Sequence, residues 1–155
     1  MALDMISAGM AVKYCVEATA GTRPTSGYTE IPGVKSIPEF GGEPNTVQTT
    51  TLAAEKFHTY TMGLQDPGGS IGLTVNDRTD FRTAWTALMT AFEGLAGNKQ
   101  VWFEFAYPPA SGLESFYFTG IPSDLSFGGA EVDEVLENTA YIVPTGEPVW
   151  AAAST

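Results

Sequence analysis

Few residues of this chain have the types and spacing that catalytic chemistry requires. His58 is the only histidine and Cys15 the only cysteine. One histidine excludes metal sites built from several imidazoles, and no serine stands in a nucleophile-elbow motif, so a catalytic triad has no support. Cys15 lies in an alternating segment beside one lysine, whereas a thiolate nucleophile needs an electropositive environment. We therefore expect Cys15 to be a small strand residue and His58 to have no catalytic role.

The carboxylates leave one enzymatic alternative open. Glu104 and Glu114 could lie across a hairpin from each other and act as the acid and the nucleophile of a glycosidase. The run EVDEVLE, which begins at Glu131, lacks the ligand spacing of a calcium loop, so we interpret it as a solvated acidic face. The glycines of GGSIG are not followed by the Lys and Ser/Thr of a phosphate-binding loop. The sequence thus predicts no catalytic, cofactor-binding or metal-binding residues and a protein that is not an enzyme.

The charge of the chain excludes another class of function. The chain has 7 Lys and Arg against 18 Asp and Glu, a net charge of −11 at pH 7, and no basic residue follows Lys99. Because nucleic-acid binding depends on Lys and Arg that neutralise phosphates, a surface that grips DNA is excluded. A single cysteine forms no internal disulfide, and the absence of a run of about 18 apolar residues predicts no membrane span.

The apolar pattern predicts a mainly β protein with one α-helix. At 155 residues the chain fits a single domain, 1–155. Side chains alternate in polarity over residues 10–16 and 71–76, as expected of half-buried strands. From Lys99 onward the strand segments KQVWFEFAY, ESFYFTGIP, DLSF and EVLENTAYIVP follow one another, and PPASG is a natural hairpin connection. The second half of the chain is therefore predicted to be an antiparallel meander.

A single amphipathic helix is predicted at about residues 77–93. Its apolar residues fall at helical spacing and form one stripe: Phe81, Trp85, Leu88, Met89 and Phe92. Asn76 or Asp77 can cap its first turn, and Gly94 can take the left-handed conformation after its last turn. The helix is thus expected to pack on the sheet through this stripe.

The order of these elements, together with several short strings, resembles a known family. The strings are TVQTTTLAAEKFHTYTMGLQDPGGSIGLTVN, then the helix, then VWFEFAYP, SFYFTGIPSDLSF and YIVPTGEPVW. They resemble the major tail proteins, or tail tube proteins, of long-tailed (siphovirus-like) phages and prophages, over about Val34 to Trp150. The chain departs from the family at Ala53 and Ala54, where relatives often carry acidic residues.

The resemblance implies a structural protein of the virion. Proteins of this family fold as a β-sandwich or barrel-like domain flanked by a single helix, and they are similar in fold to type VI secretion tube proteins. They assemble in the cytoplasm of the bacterial host into six-membered rings, which stack into the hollow tube through which DNA is ejected. The implied partners are further copies of the chain, the tape-measure, tail terminator and distal tail proteins, and DNA that passes without specific binding. The resemblance implies no active site and no cofactor.

The resemblance implies that residues of about 41–68 contact a neighbouring ring. In the family, the corresponding long loop or hairpin reaches to the adjacent ring. Its β-branched residues can add to a neighbour's sheet, and its aromatic residues can supply apolar contact area. The predicted contact residues are Thr49, Thr50, Thr51, Phe57 and Tyr60. We also expect an N-terminal arm at about 1–10 and a short, frayed C-terminal tail at 151–155.

The acidic second half of the chain suggests a hypothesis about the wall of the tube. An acidic wall repels DNA weakly and lets it slide, whereas a basic wall would hold it. We expect at least two of four carboxylates to line the channel: Glu104, Glu114, Asp124 and Glu137. Strand parity assigns these residues to faces, but it does not say which face is luminal.

Three alternatives stay open from the sequence. A non-enzymatic β-sandwich module that binds carbohydrate would use exposed aromatic residues, for which Trp102, Tyr117 and Trp150 are candidates. A small hydrolase would use the glutamate pair described above. A tube protein similar to those of type VI secretion would share the self-assembly that the tail resemblance implies.

Overall fold

The computed structural model describes residues 9–40, 44–53, 56–64 and 69–155. Over these residues the protein is mainly β with one helix, and its principal sheet is antiparallel and curled into a half-barrel. The predicted fold class is therefore confirmed. Most of the predicted N-terminal arm lies outside the described residues, as do residues 41–43, 54–55 and 65–68 of the predicted inter-ring loop.

Ten strands and one helix make up the described part of the chain. Helix α1 spans Thr79–Glu93, and a 3₁₀ turn spans Pro109–Ser111. The strands are β1 Ala11–Val16, β2 Thr29–Glu30, β3 Val34–Ser36, β4 Thr46–Gln48, β5 Tyr60–Met62, β6 Ile71–Asn76, β7 Val101–Ala106, β8 Ser115–Pro122, β9 Glu137–Pro144 and β10 Val149–Ala151. The predicted strand at DLSF does not form. In the residues described, no helix has the length and hydrophobicity needed to cross a bilayer.

The curl of the principal sheet follows from a short link between its edges. The strand order is β2-β1-β7-β8-β9-β6-β3, with β10 paired to β8, and only Ile31, Pro32 and Gly33 join the edge strands β2 and β3. Because an extended chain advances by at most about 3.6 Å per residue, the two edges lie no more than about 14 Å apart. Ile31 N donates to Val12 O and Asn76 N donates to Gly33 O, both at 2.8 Å, so the link is tied to both sides. The sheet must therefore curve back towards itself.

One face of the sheet forms the hydrophobic core. The cross-strand pairs Phe103–Phe118 and Phe105–Phe116 of β7 and β8 lie on this face, with ring centroids 5.4 and 6.1 Å apart. Alternate residues of neighbouring strands extend it: Val12, Tyr14, Ile71, Leu73, Val75, Ala140 and Ile142. The period of two along each strand thus places the apolar side chains in one layer.

Helix α1 packs on this core through its apolar side. The structure buries Phe81, Trp85 and Leu88, and it packs the partly buried Met89 and Phe92 against the core. The indole Nε1 of Trp85 donates to Ser123 O at 3.0 Å, which ties the helix to the segment that follows β8. The single helix predicted at about 77–93 is confirmed.

The ends of helix α1 differ from the predicted ends. The helix begins after Arg78, whose side chain makes no capping hydrogen bond, and the first-turn amide of Phe81 donates to Asp80 Oδ1 at 2.9 Å. The carboxylate of Asp77 instead pairs with the guanidinium of Arg82, at 2.5 and 2.6 Å. Gly94 has φ −83°, a right-handed conformation, and the backbone becomes left-handed only at Gly97, with φ 68°. The predicted cap and the predicted left-handed glycine are therefore wrong.

Candidate assembly surfaces

Strands β4 and β5 form a hairpin that is separate from the principal sheet. The paired residues are Thr46 with Met62, Val47 with Thr61 and Gln48 with Tyr60. All six are exposed, so neither face of the hairpin is covered by the described chain. An isolated two-stranded hairpin is only marginally stable in water, because it buries little apolar surface. This hairpin therefore stands to gain stability from a partner.

Threonine side chains and His58 hold the hairpin together beyond its two strands. Thr49 N donates to Thr59 O at 2.7 Å, and Thr59 N donates to Thr50 Oγ1 at 2.9 Å. His58 Nδ1 lies 2.8 Å from Gln48 Nε2 and 3.3 Å from Thr50 Oγ1. These contacts give His58 a structural role within the hairpin.

The hairpin and its flanks expose large apolar side chains. Leu52, Phe57 and Leu64 have relative accessibilities of 108%, 82% and 91%, and Tyr60 has 60%. Large exposed apolar patches on soluble proteins mark sites of interaction, and these side chains are candidates for such a site. We call the described residues of 46–64 the hairpin surface.

Glu104 lies inside the protein. Its carboxylate is fully buried on the sheet face opposite the core, where it accepts hydrogen bonds from Tyr117 Oη (2.9 Å), Ser154 N (3.1 Å) and Ser154 Oγ (2.6 Å). Burial by itself would raise the pKa of Glu104, but these hydrogen bonds favour the charged form and hold the pKa below its ordinary value. Glu104 is therefore excluded from the predicted channel lining. Its partner across the strands is Tyr117 and not Glu114, so the glycosidase pair is not formed.

The other three carboxylates of the predicted lining lie apart from one another. Glu114 and Asp124 are exposed just beyond opposite ends of β8, a strand of 8 residues that spans about 25 Å. Glu137 begins β9 and forms an ion pair with Lys35, which offsets its charge at the surface. The four carboxylates are thus not gathered into one cluster.

The C-terminal residues are anchored over the buried Glu104. Strand β10 pairs with the start of β8, and Ala152 O then lies 2.7 Å from Tyr117 Oη, so Ala152 O and the Glu104 carboxylate share the single proton of this hydroxyl. Burial, together with the hydrogen bond to Glu104, raises the pKa of Tyr117 to about 12, so this hydroxyl stays a donor. The guanidinium of Arg23 lies 4.4 Å from the centre of the Tyr117 ring and covers the same site. Residues 151–155, which the sequence suggests to be frayed, are thus held in place.

The remaining candidates for chemistry have ordinary surroundings. Burial raises the pKa of the Cys15 thiol, so its thiolate form is disfavoured. Among the residues described, no group of three or more His, Cys, Asp or Glu side chains could hold a metal ion. Of the aromatic residues considered for carbohydrate binding, Tyr117 is buried and Trp102 is partly buried, while Trp150 is exposed and its ring stacks with that of Tyr107 at 6.2 Å. These three aromatic residues do not form one sugar-binding platform.

A second exposed apolar surface lies in the long connection between β8 and β9. Its large side chains are Phe127 (86%), Val132 (88%), Val135 (70%) and Leu136 (53%). The sequence predicts a solvated acidic face over part of this segment, because acidic residues alternate there with the apolar ones. The exposed apolar surface could have been predicted from one feature of the sequence. Large apolar residues lie there in a segment that has neither helical nor strand periodicity. We call residues 127–136 the loop surface.

The loop surface continues into an open groove beside helix α1. The groove has a volume of about 950 Å³, and Leu136 forms one wall while threonines and alanines of the helix form the other. Both arginines that line it are paired with carboxylates, Arg78 with Asp80 and Arg82 with Asp77. The groove is therefore close to neutral and suits an apolar occupant better than an anion.

Comparison with known proteins supports the fold described above. The chain is similar to a chain of the anti-feeding prophage (AFP) baseplate, solved by cryo-EM with 6-fold symmetrisation, at a TM-score of 0.65 and 11% sequence identity. The similarity covers 100% of both chains. No family model and no curated protein matches the sequence. At this level of identity, the likeness establishes a shared fold over the whole chain.

Proposed function

We propose that this protein is a structural, non-enzymatic component of a phage-type tail and that it self-assembles into stacked rings which form the tail tube. Its fold is similar to that of a chain in a prophage baseplate. The short strings and element order that resemble tail tube proteins support the same class. The 6-fold symmetrisation of the baseplate structure supports rings of six subunits.

The observation that carries this proposal is the uncovered hairpin surface. Within the described sheets, β4 pairs only with β5, so the outer edge of β4 can accept a strand of a neighbour. Covering a large apolar side chain such as Phe57 or Leu52 contributes about 1.5–3 kcal/mol. A ring of copies repeats this contribution at every subunit. The hairpin surface, including Thr49, Thr50, Thr51, Phe57 and Tyr60, is therefore our proposed contact between rings.

The proposed tube conducts DNA without binding it. The chain has a net charge of −11, which disfavours adhesion to a polyanion. Of the four carboxylates predicted to line the channel, Glu114 and Asp124 are exposed, and we propose that these two line it. Glu137 contributes less to this repulsion, because Lys35 offsets its charge.

The proposal also defines the partners and the location of the protein. The tube consists of further copies of the chain, assembled in the cytoplasm of a bacterial host and then carried in the virion. Its ends and its interior require tail terminator, distal tail and tape-measure proteins. These partners are carried over from the resemblance to tail tube proteins.

Self-association of the pure protein, without any ligand, tests the proposal. Sedimentation velocity and negative-stain microscopy of the concentrated protein should show rings or tubes. Replacement of residues 49–60 by a short Gly-Ser linker should leave a folded monomer with native-like circular dichroism, because the hairpin surface is not part of the core. The same replacement should abolish stacking.

Leu113→Ser provides a matched control for the loss of exposed apolar surface. Leu113 is 49% exposed but belongs to neither apolar surface, so its replacement should leave assembly intact. Full-length tubes formed by the linker variant would show that the hairpin is not the contact between rings. A parent protein that stays monomeric at every concentration would refute self-assembly itself.

A further inference from the structure

Both ends of the loop surface are tied to the rest of the fold. Asn138 Nδ2 donates to Ser126 O at 2.7 Å just before the loop surface, and Asp77 N donates to Leu136 O at 2.9 Å at its end. Between these two ties, Gly128 lies so close to β9 that an added Cβ would overlap the backbone of that strand. The backbone of the loop surface is thus held against β9 and against the segment that leads into helix α1.

The loop surface presents apolar side chains to solvent although its backbone is held. Val132 and Val135 are 88% and 70% exposed, and Leu136 extends the apolar surface into the groove beside helix α1. Because a helix rises by about 1.5 Å per residue, the helix side of this groove is about 18 Å long. Most of that side consists of small uncharged residues: Thr79, Thr83, Thr86, Ala87, Thr90 and Ala91.

The loop surface is also acidic. It contains Glu131, Asp133 and Glu134 and no basic residue. None of the ion pairs between described residues involves these three acids, because each pair joins a basic residue to another carboxylate. Complementary charge attracts and orients a partner, whereas like charge repels it. The loop surface therefore suits an apolar partner that also brings cations.

No second copy of this chain supplies those cations from one segment. Arg78 and Arg82 are the only two basic residues that are fewer than ten positions apart in the sequence. Both already line the groove, and each is paired with a carboxylate of its own copy. With a net charge of −11, two copies also repel each other where acidic faces meet. The partner that fits this surface is therefore a different protein.

The groove favours a helical occupant over an extended one. The backbone groups of helix α1 are paired within the helix, so its side of the groove offers no strand edge to an extended segment. A docked helix pairs its own backbone groups and needs only side-chain contacts. The threonines and alanines of α1 let a second helix approach to the usual distance of about 8–10 Å between axes.

We infer that the loop surface and the adjoining groove dock a cationic amphipathic helix of a different protein. The inference goes beyond the proposed self-assembly, because the occupant is not a copy of this chain. Apolar residues of the docked helix, spaced i, i+3, i+4 and i+7, lie against Val132, Val135 and Leu136. Lysines or arginines beside that apolar stripe lie near the three acids of the loop surface.

Selection from a displayed library of helices tests the inference. Its members have about 15 residues, enough to span the groove, with leucine fixed at the stripe positions. The positions beside the stripe vary among Lys, Glu, Gln and Ser. The parent protein should enrich Lys-rich members, and a Glu131→Gln, Asp133→Asn, Glu134→Gln variant should not. Asn at 133 tolerates the positive φ of 62° found there.

Fluorescence anisotropy with the most enriched peptide measures the two contributions. Val132→Ser combined with Val135→Ser should weaken binding by about tenfold or more, because it removes the apolar contacts. The triple acid variant should weaken binding by about tenfold at low salt. That difference should disappear at about 1 M salt, where the screening length is only about 3 Å.

Matched controls have the same chemistry outside the loop surface. Leu113→Ser removes an exposed apolar side chain, and a Glu30→Gln, Glu39→Gln, Glu147→Gln variant removes three exposed acids. Both controls should bind the peptide as the parent does. Thermal unfolding of every variant verifies that the fold is retained.

The outcomes separate this inference from the proposed function, since binding is measured on dilute protein without tubes. A lack of enrichment, enrichment of Glu-rich or uncharged members, or equal binding by the loop-surface variants and their controls would overturn the inference. Loss of self-association in the Val132→Ser, Val135→Ser variant would assign the surface to a second copy and would also overturn it. Lys-rich peptides that bind the parent and both controls, but not the loop-surface variants, would support it even if tubes do not form.

Discussion

Replacement of the buried Glu104 is predicted to destabilise the protein strongly. Glu104→Ala removes the acceptor of hydrogen bonds from Tyr117 Oη and from the amide and hydroxyl of Ser154. Hydrogen bonds to a charged group contribute about 1.5–3 kcal/mol each, but the desolvation of the carboxylate offsets several kcal/mol of this gain. In the Glu104→Ala variant, Tyr117 Oη can still donate to Ala152 O. The hydrogen bonds that are lost without replacement are therefore those of the Ser154 amide and hydroxyl. We expect the free energy of unfolding to fall by about 2–4 kcal/mol.

The same carboxylate makes stability depend on pH. Desolvation opposes the shift, yet the hydrogen bonds lower the pKa of Glu104 from its ordinary value of 4.5 in the folded protein. As pH falls, the unfolded chain therefore takes up the proton first. The stabilisation by Glu104 is fully present above pH 4.5 and is lost as pH falls below that value, through the pKa of the folded protein. The difference in stability between the parent and Glu104→Gln should shrink over the same range.

Urea denaturation followed by tryptophan fluorescence measures these effects. Glu114→Gln is the matched control, since Glu114 is exposed and its replacement should change stability by less than about 0.5 kcal/mol. In a double-mutant cycle, Glu104→Ala and Ser154→Ala should together cost less than the sum of their separate effects, because they remove the same interaction. A Glu104→Ala protein within about 0.5 kcal/mol of the parent would refute this reasoning.

Two further predictions concern the core and the channel. Trp85→Ala should lower the free energy of unfolding by about 3–5 kcal/mol, because the side chain is buried and hydrogen-bonded to Ser123 O. Thr86→Ala, on the exposed side of the helix, is the control and should have little effect. Urea denaturation of both variants measures the difference. Glu114→Lys combined with Asp124→Lys should leave rings and tubes intact but slow DNA ejection from assembled tails, because added cations would hold the phosphates. Ejection at the parental rate would contradict the proposed lining.

Local periodicity was sufficient to predict the helix and most of the meander. Phe81, Trp85 and Leu88 repeat at helical spacing, and the structure buries all three on the core side of α1. Ile71, Leu73 and Val75 alternate with polar or small residues, and the structure places them on one buried face. These patterns can be read locally because side-chain direction follows from the backbone period of the element.

The helix ends and the environment of Glu104 could not be predicted in this way. Asp77 was a suitable cap by residue type, but its carboxylate binds Arg82 instead, and sequence pattern does not rank such competing partners. Alternation placed Glu104 on the face opposite Phe103 and Phe105. Whether solvent reaches that face was decided by Arg23 and by the C-terminal residues, which are distant in sequence.

The sequence by itself determined the element types, the acidic charge and the resemblance to tail tube proteins, since each depends on composition or on neighbouring residues. Only the tertiary structure decided which exposed apolar residues form surfaces. Leu52 and Phe57 remain uncovered because the hairpin is separate from the principal sheet, and Val132 and Val135 remain uncovered because their loop lies beyond the end of β6. The burial of a side chain depends on segments that pack on it from elsewhere in the chain, and the local sequence pattern does not predict those contacts.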